Sequence, residues 1–212
     1  MITNEEESIV YWNKRFAEHN NHVGWGSTPG SSWYTTKQKY ITELLYKGEI
    51  NQILDIGCGN AFMVMEVKNP FNTIGYTGID ACENQIKFNV ENFGKIENVK
   101  FEQVSLSNLL PILKNMKQGN PSIFHQSLFL LLDVLFHIPE DELYWSTLQT
   151  ILDCKPLYFS FTIAESNETE AKEEENHFIT RPFMRDLPGY TLIKEEASVQ
   201  LSTQKLLIYR RI

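Results

Sequence analysis

Residues 53–61 read Ile53-Leu54-Asp55-Ile56-Gly57-Cys58-Gly59-Asn60-Ala61, and a second apolar run, Tyr76-Thr77-Gly78-Ile79-Asp80, ends on a carboxylate. The first stretch predicts an apolar strand that runs into a glycine turn and opens a helix. At Gly57 and Gly59 the backbone must turn sharply, and a β-carbon would block the close approach of a ligand. An acidic residue at the end of the next strand completes the pattern. A doubly wound sheet holds a nucleoside this way: backbone approaches it at the glycines, and a carboxylate takes the ribose hydroxyls. The bland alternative is an ordinary strand and turn with no ligand.

Outward from this stretch, strand and helix patterns alternate. Strands are expected near 52–56, 75–80, 98–104, 127–134, 156–162, 189–196 and 203–210. Helices are expected near 60–68, 82–93 and 139–152, preceded by two more at 4–19 and 35–46. Such alternation implies crossover units and a parallel sheet. Near the end it breaks: Tyr190–Ser198 and Gln204–Arg210 are two strands joined by a short turn, hence an antiparallel hairpin. The expected class is α/β, doubly wound and mostly parallel, with helices on both faces. One domain spanning residues 1–212 is expected, with residues 1–48 as a helical and loop extension covering the site and 49–212 as the core. The strongly acidic run Glu165–Glu175 reads as a solvated loop.

Composition narrows the classes. A chain of 212 residues with 42% hydrophobic content has ample material for a core. The net charge of −8 argues against an extended nucleic-acid surface, which needs clustered Lys and Arg. Cys58, Cys82 and Cys154 lie far apart, make no C-x-x-C, and read as reduced thiols of a cytoplasmic chain; no metal-ligand set is assigned. The acidic start, Met-Ile-Thr-Asn-Glu-Glu-Glu, has no positively charged leader, so no signal peptide is expected. The longest apolar run, Ser127–Ile138, is too short to span a bilayer and contains Asp133, so no membrane association is expected.

A dinucleotide fingerprint needs G-x-G-x-x-G/A, and here Phe62 stands at the sixth position. A ring there obstructs the close helix–strand packing that the third glycine permits, which disfavours a nicotinamide dehydrogenase. The actual string is G-x-G-x-A, and Ile53–Gly59 resembles motif I of the class I S-adenosylmethionine-dependent methyltransferases, with Ala61 where that family usually has a third glycine. The resemblance covers roughly residues 40–210, most specifically 53–61, 80 and 133–140. It implies a Rossmann-like, seven-stranded sheet closed by the terminal hairpin, with S-adenosylmethionine as cofactor and S-adenosylhomocysteine as product.

The resemblance also implies roles. Asp55, Gly57, Cys58 and Gly59 would lie at the turn, with Asp55 near the methionine moiety. Asp80 would take the ribose hydroxyls, although its plain alternative is a helix N-terminal cap. Ala81 would lie against the adenine, and Ser105 and Leu106 are candidate adenine neighbours. The segment Asp133-Val134-Leu135-Phe136-His137-Ile138-Pro139 resembles the fourth motif, so Asp133 and Leu135 would border the methionine end. His137 is the acid/base candidate, because its pKa lies near neutrality. Its alternative is a residue that only shapes the site.

The N-terminal segment is dense in aromatics and glycine. For Arg15, Trp25, Trp33 and Tyr34 a lid or substrate-pocket role stands beside plain packing, whereas Trp12 and Phe16 are expected in the core. Residues 20–34 read as a loop that covers the acceptor pocket. Arg181 and Arg185, after the acidic run, are candidates to grip an anionic group; the alternative pairs them with the Glu165–Glu175 carboxylates. His177 lies beside them. The leading function is methylation of an O or N atom of a small molecule. The alternatives are a protein or RNA methyltransferase, and a non-enzymatic S-adenosylmethionine-binding regulatory or partner subunit.

Overall fold

The computed structural model describes residues 2–18, 24–67, 73–165, 172–175, 178–199 and 203–212, with backbone alone for Trp25 and 172–175. The chain begins with α1 (Glu5–Glu18), a 3-10 turn (Trp25–Ser27) and α2 (Ser32–Leu45). There follow β1 (Gln52–Ile56), α3 (Phe62–Met65), β2 (Gly75–Asp80), α4 (Glu83–Phe93), β3 (Val99–Gln103), α5 (Leu106–Gly119) and β4 (Ser127–Leu131). A second 3-10 turn (Leu135–His137) leads to α6 (Asp141–Cys154), β5 (Tyr158–Ala164), β6 (Lys172–Glu175), β7 (Phe178–Thr180), β8 (Tyr190–Ala197) and β9 (Gln204–Arg211).

Seven strands form one sheet in the order β3-β2-β1-β4-β5-β9-β8, and β6 and β7 form a separate pair. The first five strands run parallel, with Asp55 level with Gly78 on one side and Leu130 on the other. β9 is antiparallel to both β5 and β8, so the terminal hairpin closes the sheet, as the resemblance implies. Strand order reverses at β1 and β4, and ligands of open α/β sheets bind beyond the strand ends at such a point.

Side chains of a strand alternate between faces, and here each face has its own core. Leu54, Ile56, Phe129, Leu131, Phe159 and Phe161 pack with Leu109, Leu113, Leu148 and Ile151 of α5 and α6. Ile53, Leu128, Leu130, Leu206 and Ile208 pack instead with Ile41, Leu44, Leu45 and Val64 of α2 and α3. All five residues of β4 and all seven of β5 are buried, as parallel strands covered on both faces require.

Three elements, α5, β6 and β7, are absent from the sequence reading. α5 is not among the helices expected from the sequence, and it carries Pro111 in its interior, where proline removes a backbone hydrogen bond. The helix passes through it with the ring on the exposed face, while Leu109, Leu110 and Leu113 are buried. Burial of that leucine stripe outweighs the lost hydrogen bond. The acidic run, expected as a solvated loop, contains β6, which pairs antiparallel with Phe178-Ile179-Thr180, a segment of high β-propensity. β7 is tied to the sheet where the Arg181 N–H donates to the Ala164 carbonyl at 2.9 Å.

Candidate active site

The turn after β1 is built by backbone. The N–H groups of Gly57 and Cys58 both donate to the Ile79 carbonyl, at 2.8 and 3.0 Å. Gly57 has φ +71° and Gly59 φ +53°, in the left-handed region where glycine is unstrained. A β-carbon on Gly57 would lie 2.4 Å from Val134 Cγ2, so the position is closed by packing against the chain beyond β4. Ala61 also has a positive φ of 56°. A left-handed alanine costs about 1–2 kcal/mol, so the missing third glycine has a measurable price.

Asp80 locks this turn. Its Oδ2 accepts from the Gly59 N–H at 3.0 Å and its Oδ1 from the Cys82 N–H at 2.9 Å. The carboxylate therefore ties the glycine turn to the chain just before α4, whose N-cap is Cys82; Asp80 reaches the Cys82 N–H and does not cap the helix itself. Burial pushes its pKa up, against the pull of those N–H groups. Asn89 Nδ2 donates to the Gly59 carbonyl at 2.7 Å from α4. Asp55, buried at the end of β1, accepts from the Tyr76 hydroxyl at 2.8 Å. Burial pushes Asp55 up to about 7; the Tyr76 bond opposes the shift and the Asp80 charge adds to it.

Beyond β4, Asp133 takes φ +58°. Its carboxylate pairs with Lys37 Nζ of α2 and accepts from Thr162 Oγ1 at 3.0 Å. Lys37 is fully buried, and burial lowers its pKa while the Asp133 charge raises it. Gly26 packs on this pair so closely that a β-carbon would meet Asp133 Oδ2 at 2.6 Å.

A cleft of about 520 Å³ opens over these elements. Asp55, Gly57, Cys58, Gly59, Asp80, Ala81, Leu106, Asp133 and His137 all line it. Its opposite wall is α1, which contributes Glu5, Ser8, Ile9, Trp12 and Arg15, a stripe at helical spacing. Glu5 Oε1 accepts from the Leu106 N–H at 2.7 Å and the Ser107 N–H at 3.3 Å, capping α5, whose own N-cap Ser105 makes no side-chain cap bond. Asn13 Oδ1 accepts from the Asn84 N–H at 3.4 Å in the first turn of α4. At the far end, His137 meets Trp12 edge-on at 4.7 Å and Phe136 at 4.5 Å, and Phe178 lies 4.8 Å from Phe136.

Other expected site residues stand elsewhere. Leu135 is fully buried in the core on the α5 and α6 face. Ser105 is not on the cleft lining; its hydroxyl lies 3.2 Å from that of Ser107. Trp33 and Tyr34 are core residues of α2, and the Tyr34 hydroxyl bonds to Glu66. Arg181 is buried under α6, where Nε donates to Asp141 at 2.8 Å and the guanidinium stacks over Tyr144 at 4.5 Å. Arg185 pairs with Glu165 and Glu195, as the ion-pair alternative held. The Trp25 side chain and His177 lie outside the described residues. Trp12, assigned to the core from its helical spacing, instead faces the cleft. The sequence reading gave no role to Glu5, Lys37, Tyr76, Asn89 or Phe178; each acts across a long separation that no local pattern records. Among the described residues no helix is long and apolar enough to cross a membrane.

No protein-family model and no curated protein sequence matches the chain. Solved structures do. The N-methyltransferase NodS from Bradyrhizobium japonicum WM9, in complex with S-adenosyl-L-homocysteine, superposes with a TM-score of 0.64 at 10% identity, covering 96% of this chain and 98% of its own. The [4+2]-cyclase SpnF gives 0.61 at 11% identity, covering 100% and 97%. The methyltransferase domain of bacterial CtHen1-C gives 0.57 at 10% identity, covering 83% and 98%. With its strand order, terminal hairpin and cleft at the switch point, this chain has the Rossmann-like fold of the class I S-adenosylmethionine-dependent methyltransferases.

Proposed function

We propose that the chain is an S-adenosylmethionine-dependent methyltransferase acting on an O or N atom of a small molecule. The observation that carries this reading is the placement of Gly57–Asn60, Asp80 and Asp133 on one cleft at the topological switch point. The residues present fit the cofactor. The turn offers a floor close enough for a nucleoside, Asp80 stands at the end of β2 for the ribose, and Ala81, Val104 and Leu106 supply an apolar seat for the base. Asp55 is the carboxylate for the methionyl ammonium. Residues 1–48 serve as the cover of the same unit.

The cofactor, when bound, supplies an activated methyl group, and the protein has mainly to align a nucleophile with it. Trp12, Phe136, His137 and Phe178 form the aromatic wall against which the acceptor lies, in place of Trp33, Tyr34 and Arg181. His137, set between two rings, is the group that takes the acceptor's proton where that proton must leave. NodS, an N-methyltransferase of this fold, supports transfer to nitrogen. An RNA acceptor is disfavoured by the net charge of −8 and by four carboxylates on the cleft. SpnF, a cyclase, supports keeping one second reading: a cleft that binds the cofactor without transferring its methyl.

Calorimetry with S-adenosylhomocysteine and with NAD tests the assignment. The homocysteine nucleoside should bind and NAD should not. Asp80→Ala should weaken binding by about tenfold or more, the usual cost of losing a charged acceptor. Binding unchanged in a folded Asp80→Ala chain would remove the ribose assignment. Transfer of labelled methyl to a panel of amines and phenols separates the enzyme from the cofactor-binding reading, and His137→Asn should slow transfer to phenols and protonated amines most.

A further inference from the structure

The end of the cleft around His137 and Asp133 carries no unpaired carboxylate, Lys or Arg among the described residues. Asp133 has both oxygens engaged, Oδ2 by Lys37 and Oδ1 by Thr162 Oγ1 at 3.0 Å. Arg181 is turned away to Asp141, and Glu165 is held by Arg185 and Lys205. Arg15, the one Lys or Arg on the described lining, belongs to the last turn of α1, which packs on α4 where Phe16 meets Phe88 at 5.9 Å. Rings face this end instead. His137 lies 4.7 Å from Trp12, 4.5 Å from Phe136 and 6.3 Å from Phe178. A charged group brought against such a wall loses its water and finds no counter-charge.

One polar side chain at this end is left over. Gln204, the first residue of β9, is 5% exposed and lines the cleft. It pairs in register with Ala164, whose carbonyl also accepts from the Arg181 N–H just after β7, the strand that carries Phe178. Side chains alternate along β9, so Gln204 shares a face with Leu206, whose partner in β5 is Thr162, the residue that holds Asp133. Gln204 thus stands between the Asp133 pair and the strand of Phe178. Its backbone carbonyl accepts from the Ser198 N–H at 2.9 Å, but its side-chain amide has no partner among the described residues. A buried amide without a partner is costly, and it can donate and accept without carrying charge.

We propose that the methyl acceptor is an uncharged aromatic compound, and that Gln204 orients it by hydrogen-bonding a second polar group on the ring while the group to be methylated faces His137. This rests on the S-adenosylmethionine reading above. Gln204 then sets specificity: a ring without the second group leaves the amide unpaired, and a charged ring meets only neutral partners.

The test uses four phenols on one frame: methyl 4-hydroxybenzoate, 4-ethylphenol, 4-hydroxybenzoate and tyramine. Each is titrated by calorimetry into the full chain saturated with S-adenosylhomocysteine, and into Gln204→Met and Gln204→Glu, with circular dichroism to confirm folding. The uncharged ester should bind about tenfold or more tighter than the carboxylate or the ammonium. Gln204→Met should weaken the ester by about three- to tenfold, the usual cost of one hydrogen bond, and change 4-ethylphenol and S-adenosylhomocysteine by less than about twofold. Gln204→Glu should move the preference toward tyramine. Tyramine bound as tightly as the ester by the unaltered chain would make the rings a cation site and overturn the proposal; equal binding of 4-hydroxybenzoate would overturn it too. So would equal losses on the ester and 4-ethylphenol in Gln204→Met, which would mean that Gln204 only shapes the start of β9, and so would failure of all four to bind. If the unaltered chain did not bind S-adenosylhomocysteine, the cofactor reading itself would fall, a result distinct from any of these.

Discussion

The floor of the cleft is made by six consecutive residues, 55–60, largely through backbone atoms, whereas above it single side chains bridge 101 positions at Glu5–Leu106 and 96 at Lys37–Asp133. The two constructions fail differently. A backbone floor tolerates changes of charge but not an added β-carbon. A cover held by carboxylates and one lysine tolerates changes of shape but not neutralisation.

The largest effect is expected at the buried ion pair. Lys37→Met leaves the Asp133 carboxylate without its cation and should lower stability by about 3–5 kcal/mol in urea unfolding. Adding Asp133→Asn should recover much of the loss. A single mutant within 1 kcal/mol of the parent would show that solvent reaches Asp133 and that α2 is held by packing alone.

On the floor, Gly57→Ala adds a methyl 2.4 Å from Val134 Cγ2 at φ +71°. Strain and overpacking together should cost roughly 2–4 kcal/mol. Val134→Ala in the same chain should return the steric share and leave the backbone share. If it returned nothing, the turn would be failing for a reason other than this contact.

Glu5→Ala removes the charged cap of α5 and should cost about 1 kcal/mol, with faster amide exchange at Leu106 and Ser107 and none at the glycine turn. The difference from the parent should shrink in 1 M salt. Loss of protection on the floor as well would erase the distinction between the two regions.

The smallest expected effect has the opposite sign. Ala61→Gly relieves a left-handed alanine at φ 56° and should raise the unfolding free energy by roughly 0.5–1 kcal/mol once the freer unfolded chain is counted. A loss would mean that the Ala61 methyl, buried among the α2 and α3 residues, outweighs the strain.

The same contrast explains what could be read from the chain. β1, β2, the glycine turn and Asp80 are contiguous patterns, so periodicity and a short motif placed them. The terminal hairpin was legible because its two strands are neighbours in sequence. α5 was not read from the chain: it carries Pro111, whose cost is local, while the compensating burial of Leu109, Leu110 and Leu113 is tertiary. Trp33 and Tyr34 sit in a run that reads as a ligand-binding loop, yet α2 starts there with Ser31 as its cap and turns both rings inward. Arg181 carried the right charge for an anion, but a carboxylate on α6, Asp141, reaches it first. Arg15 was visible only as one of two readings, because its environment is set by Tyr11, Trp12 and the path of α1 across the cleft.

Asp55 has a thermodynamic consequence. A carboxyl pushed up to about 7 is partly protonated at neutral pH, and its ionised form is the one a cationic tail favours. Binding would therefore expel a fraction of a proton to the solvent. The sign follows: ligand affinity should rise as pH increases from 6 to 8 and level off once Asp55 is already ionised. Calorimetric heats near pH 7 should change with the ionisation enthalpy of the buffer, and Asp55→Asn should abolish that dependence. The site would then act as a proton exchanger each time its ligand enters or leaves.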